Sequence, residues 1–300
     1  MNKDFLTLED LTPDEMDKLI NRAAELKSGK DSSSCPLMGK SIGLLFDKTS
    51  TRTRISFQTG IYQLGAQPIY INKNELQLGR GESIEDTAKV LSRYLHGIVI
   101  RTYTHSSIEK LATNSDIPIV NGLTDLHHPC QALADMLTIK EKKGKLKDIR
   151  MAYIGDGNNV ANSLLEAALL TGVDFVIACP KGYEPDKKIY DRVVARGAKV
   201  EIVADPAEAA KDADVLYTDV WISMGQEREI ERRREIFSKY QINKELMALA
   251  KPDAIAMHCL PAHRGEEITA DVIDSEQSVV IDQAENRLHT QKALLEMLIK

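Results

Sequence analysis

Hydrophobic and polar positions near the N-terminus follow a helical period. Thr12 stands where an N-cap is expected, Pro13 suits the first helical position, and Glu15 completes a capping box. Leu11 and Met16 are placed as a hydrophobic staple. Leu19, Ile20, Ala23 and Leu26 then recur at helical spacing, and Gly29 stops the helix. The polar run 30–36 reads as a loop.

Beyond it the pattern changes to short, nearly continuous apolar runs at 42–46, 69–71, 98–100 and 117–120. Helical patterns lie between them, the clearest at 84–95. The second half repeats the scheme with runs at 151–154, 175–178, 200–203, 215–217, 255–257 and 279–281. Strands apolar on both faces and alternating with helices predict an α/β fold of mostly parallel sheets flanked by helices. The charged stretch 140–147 marks a junction, and 300 residues suit two domains at roughly 100–200 each. Ala293, Leu294, Met297 and Leu298 line a final amphipathic helix that can pack back on the first domain.

Composition removes whole classes of function. Apolar residues at 43% and charged residues at 28% exclude wholesale disorder and low complexity. A net charge of −6 argues against a duplex nucleic-acid partner, which demands a basic surplus. No apolar run approaches the ~18 residues of a membrane span. The first five residues alternate charged and apolar types and do not start a signal peptide. Cys35, Cys130, Cys179 and Cys259 lack paired spacing, as expected of a reducing cytoplasm.

Ligands of open α/β sheets bind beyond the C-terminal ends of strands, so the chemistry is expected just past each run. After 42–46 comes Asp47-Lys48-Thr49-Ser50-Thr51-Arg52-Thr53-Arg54, then a helical pattern. Free N–H groups and the dipole of a helix start favour an anion, and hydroxyls with a forked guanidinium complete a phosphate cradle. A plain helix cap would need only one hydroxyl. Arg101 and the segment Asp125-Leu126-His127-His128-Pro129-Cys130-Gln131 follow the next two strands, where an arginine and a histidine can polarise a carbonyl. His127, His128, Cys130, His258 and Cys259 fit no usual zinc spacing, so no metal is expected.

Past 151–154, Gly155-Asp156-Gly157-Asn158-Asn159-Val160 begins like a dinucleotide fingerprint. Val160 replaces the third glycine, and the next strand ends in Cys179-Pro180 without the acidic residue that holds a ribose, which disfavours NAD. Asn158 and Asn159 can instead read a carboxylate or an amine. Asp219 and Ser223 flank the single tryptophan, Trp221, four residues apart. Cys259 follows the run 255–257, where a thiolate and a buried structural thiol are both open readings.

Together, Ser50-Thr51-Arg52-Thr53-Arg54, His128-Pro129-Cys130-Gln131, Asp219 with Ser223-Met224-Gly225, and His258-Cys259-Leu260-Pro261 resemble the ornithine carbamoyltransferase signatures. The match runs in order to Glu285-Asn286-Arg287. The resemblance implies transfer of the carbamoyl group from carbamoyl phosphate to the δ-amine of L-ornithine, giving L-citrulline and phosphate, without metal or organic cofactor. It implies a carbamoyl-phosphate domain over 1–137 with a C-terminal helix at 285–300, and a Rossmann-like ornithine domain over 138–284. By residue, Ser50, Thr51, Arg52 and Thr53 would bind phosphate, and Arg101, His128 and Gln131 the carbamoyl group. Gln77 would reach a neighbouring subunit's phosphate in a homotrimer. Asn159, Asp219, Ser223 and Met224 would bind ornithine. Cys259, Leu260 and Arg287 would close the site, with Cys259 or Asp219 handling the amine proton.

Three other readings are weighed against this one. Aspartate carbamoyltransferases usually read His-Pro-Thr-Gln and His-Pro-Leu-Pro and lack Ser-Met-Gly, unlike Cys130, Cys259 and 223–225 here. A putrescine carbamoyltransferase usually lacks that loop too. A nucleotide-sensing α/β binding protein would keep Gly155-Asp156-Gly157 but has no need of Arg52, Arg101 and His128 together.

Overall fold

A computed structural model describes residues 2–29, 35–72, 81–222 and 230–299. The chain divides into two compact units, one of Met1–Leu137 with Glu285–Lys300, the other of Thr138–Ala284.

The first unit is built on four parallel strands, β1 (Ser41–Phe46), β2 (Gln67–Asn72), β3 (Gly97–Arg101) and β4 (Ile119–Leu123), in the order β2-β1-β3-β4. Each successive pair is joined through a helix, Arg52–Gln63, Ile84–Tyr94 and His105–Thr113 in turn. Strands β1, β3 and β4 are almost wholly buried, as parallel strands covered on both faces are. The N-terminal helix spans Pro13–Lys27; Thr12 accepts from the Glu15 N–H and Glu15 returns the bond, so the capping box is formed.

Strand β4 begins later than the apolar pattern suggests. Pro118 has no N–H for a ladder, so pairing starts after it and runs through Asn121 and Gly122. Asn121 is fully buried and donates to the Leu6 carbonyl, while Phe5 bridges Val120 and extends the sheet.

The second unit carries β5 (Arg150–Ile154), β6 (Asp174–Ala178), β7 (Val200–Val203), β8 (Val215–Thr218) and β9 (Ile255–His258). Their order is β7-β6-β5-β8-β9, all pairings are parallel, and the winding is Rossmann-like. The strand expected at 279–281 is not one. Ser278 makes a single bridge to Ala256, and Val280 opens the helix Val280–Leu298. A three-residue apolar run cannot separate strand from helix period; Val279 and Val280 are buried whereas Ile281 faces solvent. Among the described residues no helix is long and apolar enough to cross a membrane.

Candidate active site

In the first sheet the strand order reverses between β1 and β3, the position at which open α/β sheets bind ligands. Phe46 and Arg101 end these strands in register, and the Asp47 N–H donates to the Arg101 carbonyl. Ser50 sits just ahead of the helix Arg52–Gln63, and its Oγ accepts the Thr53 N–H at 3.2 Å. Thr51 and Arg52 stay exposed at this helix start, whereas Thr53 is buried.

Thr53 is a meeting point of two cations. Its Oγ1 accepts from Arg287 Nη2 at 2.7 Å and from Arg101 Nη1 at 3.4 Å. Arg287 Nη1 also donates to Gln131 Oε1 at 3.2 Å, and Gln131 Nε2 donates to Asp135 at 2.8 Å. His128 lies buried beside them. Burial, then the charges of Arg287, Arg101, Arg52 and Lys48, push it well below the usual histidine range, so its ring is neutral at neutral pH. A neutral ring can donate one hydrogen bond to a developing oxyanion, while the guanidinium groups supply the positive field for a dianion. Cys130 takes no part: burial pushes its thiol up to about 12, and Sγ donates to the Asn121 carbonyl.

In the second sheet the order reverses between β5 and β8, and here Asn158 and Asp219 follow the strand ends. Asn158 caps the helix Asn159–Thr171, with Asn159 at its first position. Asn158 Nδ2 donates to Asp219 Oδ2 at 2.7 Å. Thr218 pairs with His258 across β8 and β9, so Asp219 and Cys259 emerge side by side, and Cys259 Sγ donates to Asp219 Oδ1 at 2.8 Å. In this arrangement Cys259 is a thiol donating to a carboxylate. Leu260 adopts φ 56°, a left-handed conformation uncommon for a bulky residue, and its N–H donates to His258 Nδ1 at 2.8 Å. His258 Nε2 then carries the proton toward Glu267 Oε1 at 3.0 Å. Both ring nitrogens are occupied, so the cluster Asp219, His258 and Cys259 has no imidazole lone pair to offer a metal.

Beneath this constellation, Arg233 donates to Asp156 at 3.0 Å and to the Trp221 carbonyl at 2.8 Å. A Cβ on Gly157 would stand 2.3 Å from the Pro185 nitrogen, so only glycine lets this turn lie against 183–185. In the abortive dinucleotide fingerprint Gly157 therefore serves packing, while Gly155 supplies a φ of 141°.

Of the expected site residues, Ser50, Thr51, Arg52, Thr53, Arg101, His128, Gln131 and Arg287 fall in the first unit. Asn159, Asp219, Cys259 and Leu260 fall in the second, where Cys259 touches Asp219. Gln77, Ser223 and Met224 lie outside the described residues. Two participants were not singled out by sequence. Lys48 is buried against Asp125 with the Tyr103 ring 4.2 Å away, and Arg233 is buried in an otherwise charged helix. Their charge was visible, but their burial depends on long-range packing.

The aspartate/ornithine carbamoyltransferase carbamoyl-P binding domain matches residues 3–141, and the Asp/Orn binding domain of the same family matches 147–298. The protein named ornithine carbamoyltransferase in Syntrophus aciditrophicus is 53% identical over 302 residues, covering 100% of both chains. Among solved structures, the ornithine carbamoyltransferase of Pyrococcus furiosus superposes with a TM-score of 0.94 at 51% identity, covering 99% of this chain and 96% of its own. The anabolic ornithine carbamoyltransferase of Campylobacter jejuni gives 0.93 at 39% identity, covering 99% of each chain.

Proposed function

Since the chain belongs to the aspartate/ornithine carbamoyltransferase family, we propose that it transfers the carbamoyl group of carbamoyl phosphate to the δ-amine of L-ornithine, giving L-citrulline and phosphate. The observation that carries the reading is the cationic cluster at the β1–β3 switch point, where Arg101 and Arg287 meet on Thr53 beside a neutral, buried His128.

In this reading Ser50, Thr51, Arg52 and Thr53 hold the phosphate with the helix start, and Arg101, His128, Gln131 and Arg287 hold the carbamoyl end. The neutral δ-amine forms the new N–C bond as the carbonyl π pair moves onto oxygen. Arg101 and the His128 N–H meet that oxyanion, one donor being worth ~3 kcal/mol. Collapse breaks the C–O bond to phosphate, Arg52 receives the charge, and the departing phosphate takes up the proton released by the amine. Asp219 and Asn159 read the amino-acid end of ornithine together with Ser223 and Met224, while Cys259 and Leu260 border the reacting amine. No metal or cofactor enters these steps.

The chain works in this reading as a homotrimer in the cytoplasm, within arginine biosynthesis. Gln77 of one subunit contacts the phosphate of its neighbour. The Leu76-Gln77-Leu78-Gly79 segment supports the shared site. The anabolic relative supports the direction.

The experiment is one assay with carbamoyl phosphate and, in turn, ornithine, putrescine, N-acetylornithine and aspartate. Citrulline and phosphate formed with ornithine alone are expected. Preferred turnover of another acceptor overturns the substrate assignment, and no phosphate release with any acceptor overturns the transferase reading.

A further inference from the structure

The side chain of Asn158 is engaged within the protein at both ends. Its Oδ1 accepts the N–H groups of Val160 at 2.9 Å and Ala161 at 3.3 Å, and the Tyr153 hydroxyl donates to the same oxygen at 3.3 Å. With the oxygen committed to capping, the amide nitrogen must face the other way, and there it donates to Asp219 Oδ2 at 2.7 Å. Asp219 Oδ1 meanwhile accepts from Cys259 Sγ at 2.8 Å and from the Val220 N–H at 2.8 Å. A carboxylate offers roughly four acceptor positions. Among the described residues these bonds fill two on Oδ1 and one on Oδ2, so the remaining position lies on the oxygen that Asn158 grips.

We infer that Asn158 is a positioning residue: its amide fixes the plane of the Asp219 carboxylate so that the last acceptor position on Oδ2 is aimed at the ammonium of the bound amino acid. The inference rests on the reading of Asp219 as an ornithine-binding group, and it assigns Asn158 no contact with substrate. The neighbouring Asn159 stands at the first helical position, and the cap is Asn158. Without the 2.7 Å bond the carboxylate can rotate about its own Cβ–Cγ axis, held on one oxygen only. The substrate ammonium then meets a mobile acceptor, and ground-state binding of ornithine suffers before the chemistry does.

Serine separates the two duties of this side chain. Asn158→Ser keeps a good N-cap oxygen and removes the amide donor, whereas Asn158→Ala removes both. Expected for Asn158→Ser is a roughly ten- to hundredfold rise in the ornithine KM, the range of a lost hydrogen bond to a charged group. Its carbamoyl phosphate KM and Tm should stay near those of the parent. Asn158→Ala should show the same rise with a lower Tm. In an Asp219→Ala background, Asn158→Ser should change kcat/KM for ornithine by less than roughly twofold, since the two residues act as one. A parent-like ornithine KM in Asn158→Ser, with Asp219→Ala strongly impaired, overturns the inference. Additive losses in the double variant also overturn it, because Asn158 would then meet the substrate directly. An unaffected Asp219→Ala variant overturns the reading of Asp219 beneath it.

Discussion

Arg287 and Thr53 are 234 positions apart, yet Arg287 Nη2 donates to Thr53 Oγ1 at 2.7 Å, tying the C-terminal helix to the start of the helix Arg52–Gln63. The same guanidinium reaches Gln131 with its other nitrogen. A planar fork bridges these two acceptors from two separate, rigidly placed nitrogens, a geometry that a single ammonium nitrogen does not reproduce. Arg287→Lys should therefore raise the carbamoyl phosphate KM by roughly tenfold or more, taking ~1.5 kcal/mol or more for each lost charged hydrogen bond. Steady-state kinetics with each substrate varied checks this; a lysine variant with unchanged KM would reduce the contact to packing.

His128 makes stability depend on acid. Its folded-state proton affinity is held well below the usual value by burial and then by Arg287, Arg101, Arg52 and Lys48. The unfolded chain, with a histidine near 6.5, binds a proton that the folded chain refuses. Stability is therefore full above about pH 6.5 and falls as pH drops below it, by ~1.4 kcal/mol per pH unit from this one group. His128→Asn should flatten that slope by about one proton in urea titrations run from pH 7 to 5, while abolishing most turnover. An identical slope in parent and variant would mean that His128 is charged in the fold.

Much of this architecture is written locally. The Thr12–Glu15 capping box, the buried β1 and β3 runs and the hydroxyl-rich helix start each depend on neighbours a few residues away, so their signals survive in sequence. What escaped depends on distant partners. Strand β4 includes Asn121 and Gly122 because Leu6 accepts the amide and the Ile100 carbonyl lies 3.1 Å from where a Gly122 Cβ would sit. Both asparagines at 158 and 159 were legible as polar helix openers, but the choice of Asn158 as partner to Asp219, 61 positions on, belongs to the β5–β8 neighbourhood.

Gly157 should tolerate no side chain. An added Cβ would meet Pro185 N at 2.3 Å, Glu184 C at 2.4 Å and Tyr183 O at 2.6 Å, all backbone atoms that cannot swing aside. Gly157→Ala should cost about 1–3 kcal/mol or more, several degrees in Tm. It should raise the ornithine KM more than the carbamoyl phosphate KM, because the displaced turn carries Asn158. A parent-like Tm would show that the segment 183–185 moves freely.

The last test concerns substrate choice and its proton. Asp219 follows the end of β8, where in the proposed reading it pairs the α-ammonium of ornithine, while Asn159 and the Ser223 loop pair the α-carboxylate that putrescine lacks. A site built to pair polar groups rejects analogues lacking them by roughly 10⁴–10⁵, since its buried groups are left without partners. Asp219→Asn should therefore raise the ornithine KM strongly and leave carbamoyl phosphate binding almost unchanged. The δ-amine resembles lysine, with a reference value of about 10.4, and only its neutral form attacks. Hence kcat/KM for ornithine should climb with pH across the neutral to alkaline range. Cys259→Ser keeps a hydroxyl able to donate to Asp219 Oδ1, as Sγ does at 2.8 Å, so the carboxylate stays oriented. What it removes is the sulfur as a proton acceptor. A lower kcat with little change in the ornithine KM, and an altered pH profile, are expected if sulfur takes part in freeing the amine. An unchanged rate and profile would leave Cys259 as a hydrogen-bond donor that steadies Asp219, and equal turnover of putrescine and ornithine by the parent enzyme would overturn the ornithine assignment.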